Sequence, residues 1–206
     1  MTTPRPRAEF PIAEMAPAGI PRLTKSLLIP RPIAWVGTRS ADGVDNLAPH
    51  SFFTMVSNVP PILVFASTGR KDTLANIDAT GEFTVSLVSR AQAEAANGTS
   101  APYDPEVDEF AVIGLEKEPS AAVAPPRVAG APGVFECVRE QVVPAGDGFT
   151  VFGRVVHVAV AEDVLVEDEH GHRLPDAHLL DPVTRLGRDE WGSLGEVFSL
   201  QRPQAS

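Results

Sequence analysis

The sequence is poor in cysteine and in positive charge. Its single cysteine, Cys137, excludes an intramolecular disulfide and a metal site built from several cysteines. Because Cys137 stands in an apolar run, we expect it to be a buried core residue. Lysine and arginine together number 17 against 27 acidic residues, which gives a formal net charge of −10. That balance argues against a nucleic acid or an anionic membrane as a partner, since both require a positive surface.

Long apolar runs and targeting signals are absent as well. No run of 18 apolar residues could cross a membrane as a helix, and the N-terminus lacks the basic-then-apolar pattern of a secretory signal. We therefore expect a cytoplasmic protein.

Several motifs that mark common activities are missing. The sequence contains neither the Gly-x-Gly-x-x-Gly fingerprint of dinucleotide-binding folds nor the Gly-x-Ser-x-Gly turn of serine hydrolases. His170 and His172 stand close together, but an acidic loop without a supporting cysteine rarely makes a rigid metal site, so we expect no metal. No spacing of acidic residues suggests paired acid–base chemistry, and no catalytic side chain is assigned.

What the sequence contains is enough for one sizeable core. Hydrophobic residues make up 43% and charged residues 21% of 206 residues, as in a globular domain. The first residues are rich in proline and alanine and have little periodicity. We predict an N-terminal arm over residues 1–28, which needs a surface to lie on, and a folded domain over residues 29–203.

Short apolar segments separated by turn residues dominate that domain. The clearest is 82–88, where apolar and polar residues alternate as in a half-buried strand. Loops are predicted at 98–108 and, with acidic character, at 162–171. We predict helices at 72–77 and 90–97, and strands at 33–38, 46–56, 62–66, 82–88, 133–141, 149–160 and 197–200. Many short strands with few short helices predict a barrel-like, mainly β protein.

The densest group of polar and aromatic residues lies in 46–53. Asn46, His50 and Ser51 stand among small residues and two phenylalanines. A flat heteroaromatic ring needs an apolar face and backbone groups that approach its polar edge, and small residues permit that approach. Other interpretations stay open: Asn46 could stabilise a turn, His50 could be an ordinary hydrogen-bonded histidine, and the phenylalanines could belong to the core.

A second group lies at the start of the predicted helix at 72–77. Arg70 and Lys71 precede Asp72 and Thr73, either of which could cap the helix. Free N–H groups at a helix start together with a cation make a ready site for a phosphate. The alternative is that both cations are simply solvated.

Taken in order, these segments resemble the flavin reductase-like, FMN-binding split-barrel family, and within it the flavoredoxin-like branch. The motifs that carry the resemblance lie at 30–38, 42–53, 60–61, 71–77, 82–85, 97–100, 107–110 and 182–187. The resemblance implies a split β-barrel of Greek-key type with a few short helices. It also implies a homodimer with FMN bound non-covalently near the subunit interface.

The resemblance also implies which residues hold FMN. The ring and ribityl chain would contact Asn46, Ala48, Pro49, His50, Ser51, Phe52 and Phe53, with Ser67 and Thr68 beside the ring edge. The phosphate would be held by Arg70, Lys71 and Thr73. The site would be closed by Asn97, Thr99 and Ser100, with Arg185 and, more weakly, Arg31 as further candidates. Dedicated flavin:NADH reductases of this superfamily carry Gly-Asp-His where this sequence has Gly146-Asp147-Gly148, which argues against rapid reduction of diffusible flavin.

The function expected from these features is an FMN-dependent oxidoreductase that passes electrons from NAD(P)H through bound FMN to an unknown acceptor. Two alternatives stay open. One is a non-enzymatic FMN carrier or electron-transfer protein of the flavoredoxin type. The other is a barrel that has lost the cofactor and serves as an interaction module.

Overall fold

The protein is built around one large antiparallel sheet. The computed structural model describes residues 5–203. Strand accounts for 39% and helix for 21% of the protein, which makes it mainly β as the sequence predicts. The strands are β1 Arg31–Pro32, β2 Ala34–Arg39, β3 Asp45–His50, β4 Phe53–Asn58, β5 Pro61–Thr68, β6 Glu82–Leu87, β7 Lys117–Glu118, β8 Arg127–Val128, β9 Gly133–Ala145, β10 Gly148–Val160, β11 Leu165–Glu167, β12 Arg173–Pro175, β13 Val183–Arg185 and β14 Trp191–Ser193.

Seven of these strands form the large sheet, in the order β3-β2-β6-β9-β10-β5-β4. The sheet is curled. This is seen from His50 at the end of β3, which contacts Ala66 on β5 with 3.3 Å between Nδ1 and the carbonyl oxygen. Those two strands stand far apart in the hydrogen-bonded order. Smaller sheets are formed by β1, β13 and β14, by β7 and β8, and by β11 and β12.

The core fills both faces of the central strands. On β2, Val36 belongs to a cluster with Leu74 and Phe83, whereas its neighbour Trp35 belongs to a second cluster with Leu47. Successive side chains of a strand point to opposite faces, so an apolar run such as 33–36 buries both. Cys137 is fully buried in the first cluster, as expected, and burial raises the pKa of its thiol to about 12.

The helices are short and lie around the sheet. They are α1 Gly19–Leu27, α2 Asp72–Thr80, α3 Ala93–Gly98, α4 Glu109–Ile113 and α5 Ala177–Leu180, with 3₁₀ turns at Ile12–Glu14, Arg90–Gln92 and Glu162–Val164. The predicted helix at 72–77 is confirmed as α2, which buries Leu74 and Ile77 and ends at Gly81, a glycine with φ of 76°. The predicted side-chain cap is wrong, because Lys71 occupies the capping position and no side chain caps α2.

Several segments differ from the sequence-based expectation. Residues 197–200 do not form a strand, since they lie exposed and pair with no strand among residues 5–203. The predicted arm contains α1, a helix that buries no residue. The acidic loop at 162–171 contains a 3₁₀ turn and β11, which pairs with β12. Helix α4, which the sequence analysis did not predict, begins at Glu109, immediately after the predicted loop.

Candidate functional site

A cavity of about 530 Å³ opens where β3, β5 and the start of α2 meet the loop after α3. It brings together most of the residues that the sequence singles out. These are Asn46, Ala48, Pro49, His50, Ser51, Phe52, Ser67, Thr68, Arg70, Lys71, Thr73, Thr99 and Ser100. We call this space the main cavity.

Four sequence-predicted residues do not line the main cavity, and one of them, Arg31, is described below. Phe53 is the first residue of β4, packs against the core and pairs with Phe65 on β5. Its neighbour Phe52 faces the cavity and is 39% exposed. Asn97 and Arg185 line a separate cavity beside the main one.

A buried polar network fixes the floor of the main cavity. The Asn46 side-chain amide donates to Glu109 Oε1 at 2.8 Å, and its oxygen accepts a hydrogen bond from Thr73 Oγ1 at 3.0 Å. The backbone N–H of Leu47 donates to Glu109 Oε2 at 2.9 Å. Burial raises the pKa of the Glu109 carboxyl. Asn46 and Thr73 therefore connect β3, α2 and α4 as well as lining the cavity.

Glu109 is a site residue that the sequence analysis missed. It is 4% exposed, and a buried carboxylate requires hydrogen-bond partners such as those it finds on β3. Its partners lie more than sixty residues earlier in the chain. The one local signal is Asp108, whose carboxylate caps α4 by accepting from the N–H groups of Phe110 and Ala111.

His50 is held as a neutral ring at the wall of the main cavity. Burial lowers its pKa to about 4, and the nearby Lys71 charge adds to the shift. At neutral pH the ring can therefore donate from Nδ1 to the carbonyl of Ala66. Its buried Nε2 finds no hydrogen-bond partner among residues 5–203.

The cationic end of the main cavity lies at the start of α2. Arg70 forms an ion pair with Asp78, and its guanidinium lies 5.6 Å from the centre of the Phe149 ring. Lys71 is exposed and forms no ion pair within the described range 5–203. Two carboxylates, Asp72 and Glu109, also line this cavity. Lys71 and the uncapped N–H groups of α2 are therefore the groups free to meet an anion.

The wall opposite β3 is the loop that follows α3. Its first residue, Thr99, is buried, accepts a hydrogen bond from Trp35 Nε1 at 2.9 Å and donates to the carbonyl of Ala96. Beyond this anchor, Ser100 and Tyr103 face the main cavity. The loop is thus fixed at Thr99 and again at Glu109.

Arg31 is not available to a phosphate. It is 6% exposed, and its guanidinium donates to the carbonyls of Lys25, Leu28 and Leu186 and to Ser51 Oγ. These bonds attach the end of α1 and the β13–β14 sheet to the barrel. These contacts give no support to the expectation that Arg31 binds the phosphate.

The histidines of the acidic loop do not lie in a cluster of possible metal ligands among residues 5–203. In the part of the chain that the structure describes, no three His, Cys, Asp or Glu residues converge as metal ligands. His170 and His172 instead share Asp168, which accepts from both of their backbone N–H groups. Among those same residues, no helix is long and apolar enough to cross a membrane.

Comparison with known proteins identifies the family. The model of the flavin reductase like domain matches residues 26–175. An uncharacterized protein of Halalkalibacterium halodurans is 39% identical over 90% of this chain and 91% of its own length. The chain belongs to the flavin reductase-like family. The matched region contains all the residues that line the main cavity except Lys25.

Solved structures agree with this assignment. Nitrilotriacetate monooxygenase component B from Bacillus cereus is 31% identical, covers 96% of this chain and 100% of its own, and superposes with a TM-score of 0.88. Flavoredoxin of Desulfovibrio vulgaris is 27% identical, with coverage of 83% and 90% and a TM-score of 0.73. The predicted split-barrel fold is confirmed, and the chain has a flavin-related redox role.

Proposed function

We propose that this protein binds FMN in the main cavity and works as an oxidoreductase that takes electrons from NAD(P)H and passes them to a second acceptor. One observation carries the proposal. The main cavity joins a wall of small residues and a neutral histidine to an uncapped helix start that bears an unpaired lysine. That is a slot with small side chains along its wall, suited to a flat ring, with one anion site at its end.

The anion site supports FMN rather than a dinucleotide flavin. Lys71 and the first N–H groups of α2 form one compact group, suited to a single terminal phosphate. The sequence has no Gly-x-Gly-x-x-Gly turn that would hold a pyrophosphate.

The ring end of the cavity supports a flavin by its small side chains. Ala48 and Pro49 leave the β3 backbone accessible, and Ser67 and Thr68 present the end of β5. Bound FMN would supply the hydride and electron transfer itself. The residues of this chain would bind it, orient it and exclude water. None is assigned as a catalytic acid or base.

The turn between β9 and β10 favours bound flavin over diffusible flavin. It contains Asp147 and ends at Gly148, which pairs with Thr68 at the edge of the main cavity. The Gly69 N–H donates to the carbonyl of Asp147 at 3.1 Å. At the position where dedicated reductases of the superfamily carry a histidine, this sequence has Gly148, which has no side chain, so we infer that FMN stays bound during turnover.

A second candidate function is a carrier that transfers electrons without consuming NAD(P)H. The likeness to flavoredoxin favours it. The third possibility is an interaction module without a cofactor, and the intact main cavity does not support it.

The homodimer and the cytoplasmic location expected from the sequence stay predictions. Edge strand β4 supports the dimer, because it exposes Met55 and Val56.

The test is purification under native conditions, followed by a visible absorbance spectrum and chromatography of the cofactor released by heat. We expect yellow protein and free FMN. Colourless protein that does not quench FMN fluorescence on titration would contradict cofactor binding. Anaerobic mixing with NADH and NADPH then separates the two remaining candidates, since a carrier would leave the flavin oxidised.

A further inference from the structure

A second cavity of about 530 Å³ lies beside the main one and has no role in the function proposed above. It is lined by α3, β13 and β14, and its side chains include Arg90, Asn97, Arg185 and Trp191. The guanidinium of Arg185 lies 5.5 Å from the centre of the Trp191 ring and donates to the carbonyl of Glu190. We call this space the side groove.

The side groove continues into the main cavity. A smaller cavity of about 210 Å³ lies between them. It shares Pro49, Ser51 and Ser100 with the main cavity, and it shares Asn97, Arg185 and Trp191 with the side groove. A ligand in the side groove would therefore end next to the segment proposed to hold the flavin ring.

The electrostatics of the side groove favour an anion. Glu94 and Asp189 line it together with Arg90 and Arg185, so the four charges of its wall cancel. Opposite Arg185 in the β1–β13 register lies Arg31, a buried cation, and all its hydrogen bonds go to uncharged oxygens. Arg31 adds a positive charge that no carboxylate among residues 5–203 pairs with.

Two side chains are free to hold that anion. Arg90 is exposed, and its side chain makes no hydrogen bond or ion pair within the described chain. Among residues 5–203, the one carboxylate that Arg185 contacts is that of the fully exposed Asp189, at a long distance of 3.9 Å, and its hydrogen bond goes to the uncharged carbonyl of Glu190. A planar guanidinium binds carboxylate and phosphate oxygens through paired N–H donors.

We propose that the side groove binds the oxyanion of the organic substrate that exchanges electrons with the flavin, between Arg90 and Arg185. This inference rests on the proposed function, because it places the flavin in the main cavity. The shared chemistry is a carboxylate or phosphate group. Its two possible sources are the pyrophosphate of a nicotinamide donor and the carboxylate of an aromatic acceptor.

Tryptophan fluorescence tests binding directly on the intact protein. Trp35 is fully buried, whereas Trp191 lies at the side groove, so an anion there should change the emission of Trp191 alone. The probes are inorganic pyrophosphate and benzoate, one for each source. We expect one of them to change the emission in a saturable manner, and Trp191→Phe to abolish the change.

The variants Arg185→Gln and Arg90→Gln assign the site. Each should weaken binding of that probe about tenfold or more, the effect of one charge-assisted contact. The control Arg154→Gln removes the same charge on β10, where Arg154 lines none of the three cavities. Arg90→Gln is the safer substitution for folding, because Arg90 is exposed.

Three results would overturn the inference. The first is the absence of any saturable change with either probe, and the second is binding that both arginine variants leave intact. The third is that Arg185→Gln weakens FMN binding as strongly as it weakens anion binding, since the groove would then be part of the flavin site. FMN titration of the wild type and of the same variants distinguishes a failure of this inference from a failure of the proposed function. If the wild type does not bind FMN, the proposed function is contradicted.

Discussion

Lys71 is the residue on which the choice of flavin depends. It stands exposed before α2 without an ion pair in residues 5–203, whereas its neighbour Arg70 is already paired with Asp78. We expect Lys71→Ala to weaken FMN binding about tenfold to a hundredfold, because a charge-assisted contact contributes about 1.5–3 kcal/mol. Arg70→Ala should weaken it less. Fluorescence titration with FMN and with riboflavin measures both.

Riboflavin is the matched control ligand for Lys71→Ala. Because riboflavin lacks the phosphate, the variant should bind it almost as tightly as the wild type does. Equal, small losses for the two flavins would mean that Lys71 is solvated and that the phosphate lies elsewhere. Thr73→Ala does not isolate the phosphate in this way. Its hydroxyl is buried and donates to Asn46, so we expect both flavins to lose affinity together.

His50 should make the stability of the fold depend on pH. Its pKa is about 4 in the folded protein and about 6.5 in an unfolded chain, so the unfolded state binds a proton first as the pH falls. The contribution of His50 to the free energy of unfolding is fully present above pH ~6.5 and is lost as the pH falls towards ~4. At pH ~5 the loss is about 2 kcal/mol. Urea unfolding at both ends of this range measures the loss.

The comparison needs the variant His50→Phe. The raised pKa of Glu109 acts with the opposite sign, because the folded state takes up that proton first and gains stability as the pH falls. Wild type alone would report the sum of the two groups. The difference between wild type and His50→Phe isolates His50, and equal pH slopes in the two proteins would show that the ring is not held neutral by burial.

At the scale of the elements, β10 depends on one glycine in its interior. A Cβ at Gly153 would lie 2.2 Å from Phe83 Cζ and 3.2 Å from Cys137 Cβ. We expect Gly153→Ala to destabilise the fold by about 1–3 kcal/mol through overpacking of the core. The control Gly195→Ala adds a methyl group in open space and should be nearly neutral. Chemical denaturation of both variants checks this, and equal midpoints would contradict the packing argument.

The elements also show how far local sequence patterns predict this fold. The alternation of 82–88 and the spacing of Leu74 and Ile77 predict the positions of β6 and α2. The half-buried character predicted for 82–88 is wrong, because Thr84 and Ser86 are buried on the second face of β6. Strands β13 and β14 have three residues each, too few for any periodicity. Residues 197–200 are mostly apolar but pair with no strand among residues 5–203, so propensity alone misleads there.

Some residues of the main cavity could be predicted from the sequence and others could not. Residues in the compact segments 46–52 and 70–73 converge because β3 and α2 are neighbours in the fold. The contact between Asn46 and Glu109 joins residues that are remote in sequence, and no local pattern carries it. Arg185 has a charge suited to a phosphate, yet the β1–β13 pairing places it at the side groove.

At the scale of the whole molecule, the net charge of −10 restricts where an anionic ligand can bind. A protein with this net negative charge does not attract anions at long range. Each anionic ligand therefore needs a nearby cation that is not already paired. Lys71 meets that requirement at the main cavity, and Arg90 with Arg185 meets it at the side groove. Raising the salt concentration should therefore weaken FMN binding only modestly, because the Lys71 contact is short-range.

The dimer expected from the sequence gives the last prediction. Strand β4 is the last strand of the large sheet and pairs only with β5, and Val56 on it is 52% exposed. An unpaired strand edge that carries apolar side chains favours pairing with another chain, whereas a lysine there opposes it. We expect light scattering to give twice the mass of a single chain for the wild type, and Val56→Lys to shift the protein towards the monomer. Val112→Lys is the matched control, because Val112 is 53% exposed but lies on α4. A single-chain mass for the wild type at micromolar concentration would contradict the dimer, and a dimer unaffected by Val56→Lys would place its interface away from β4.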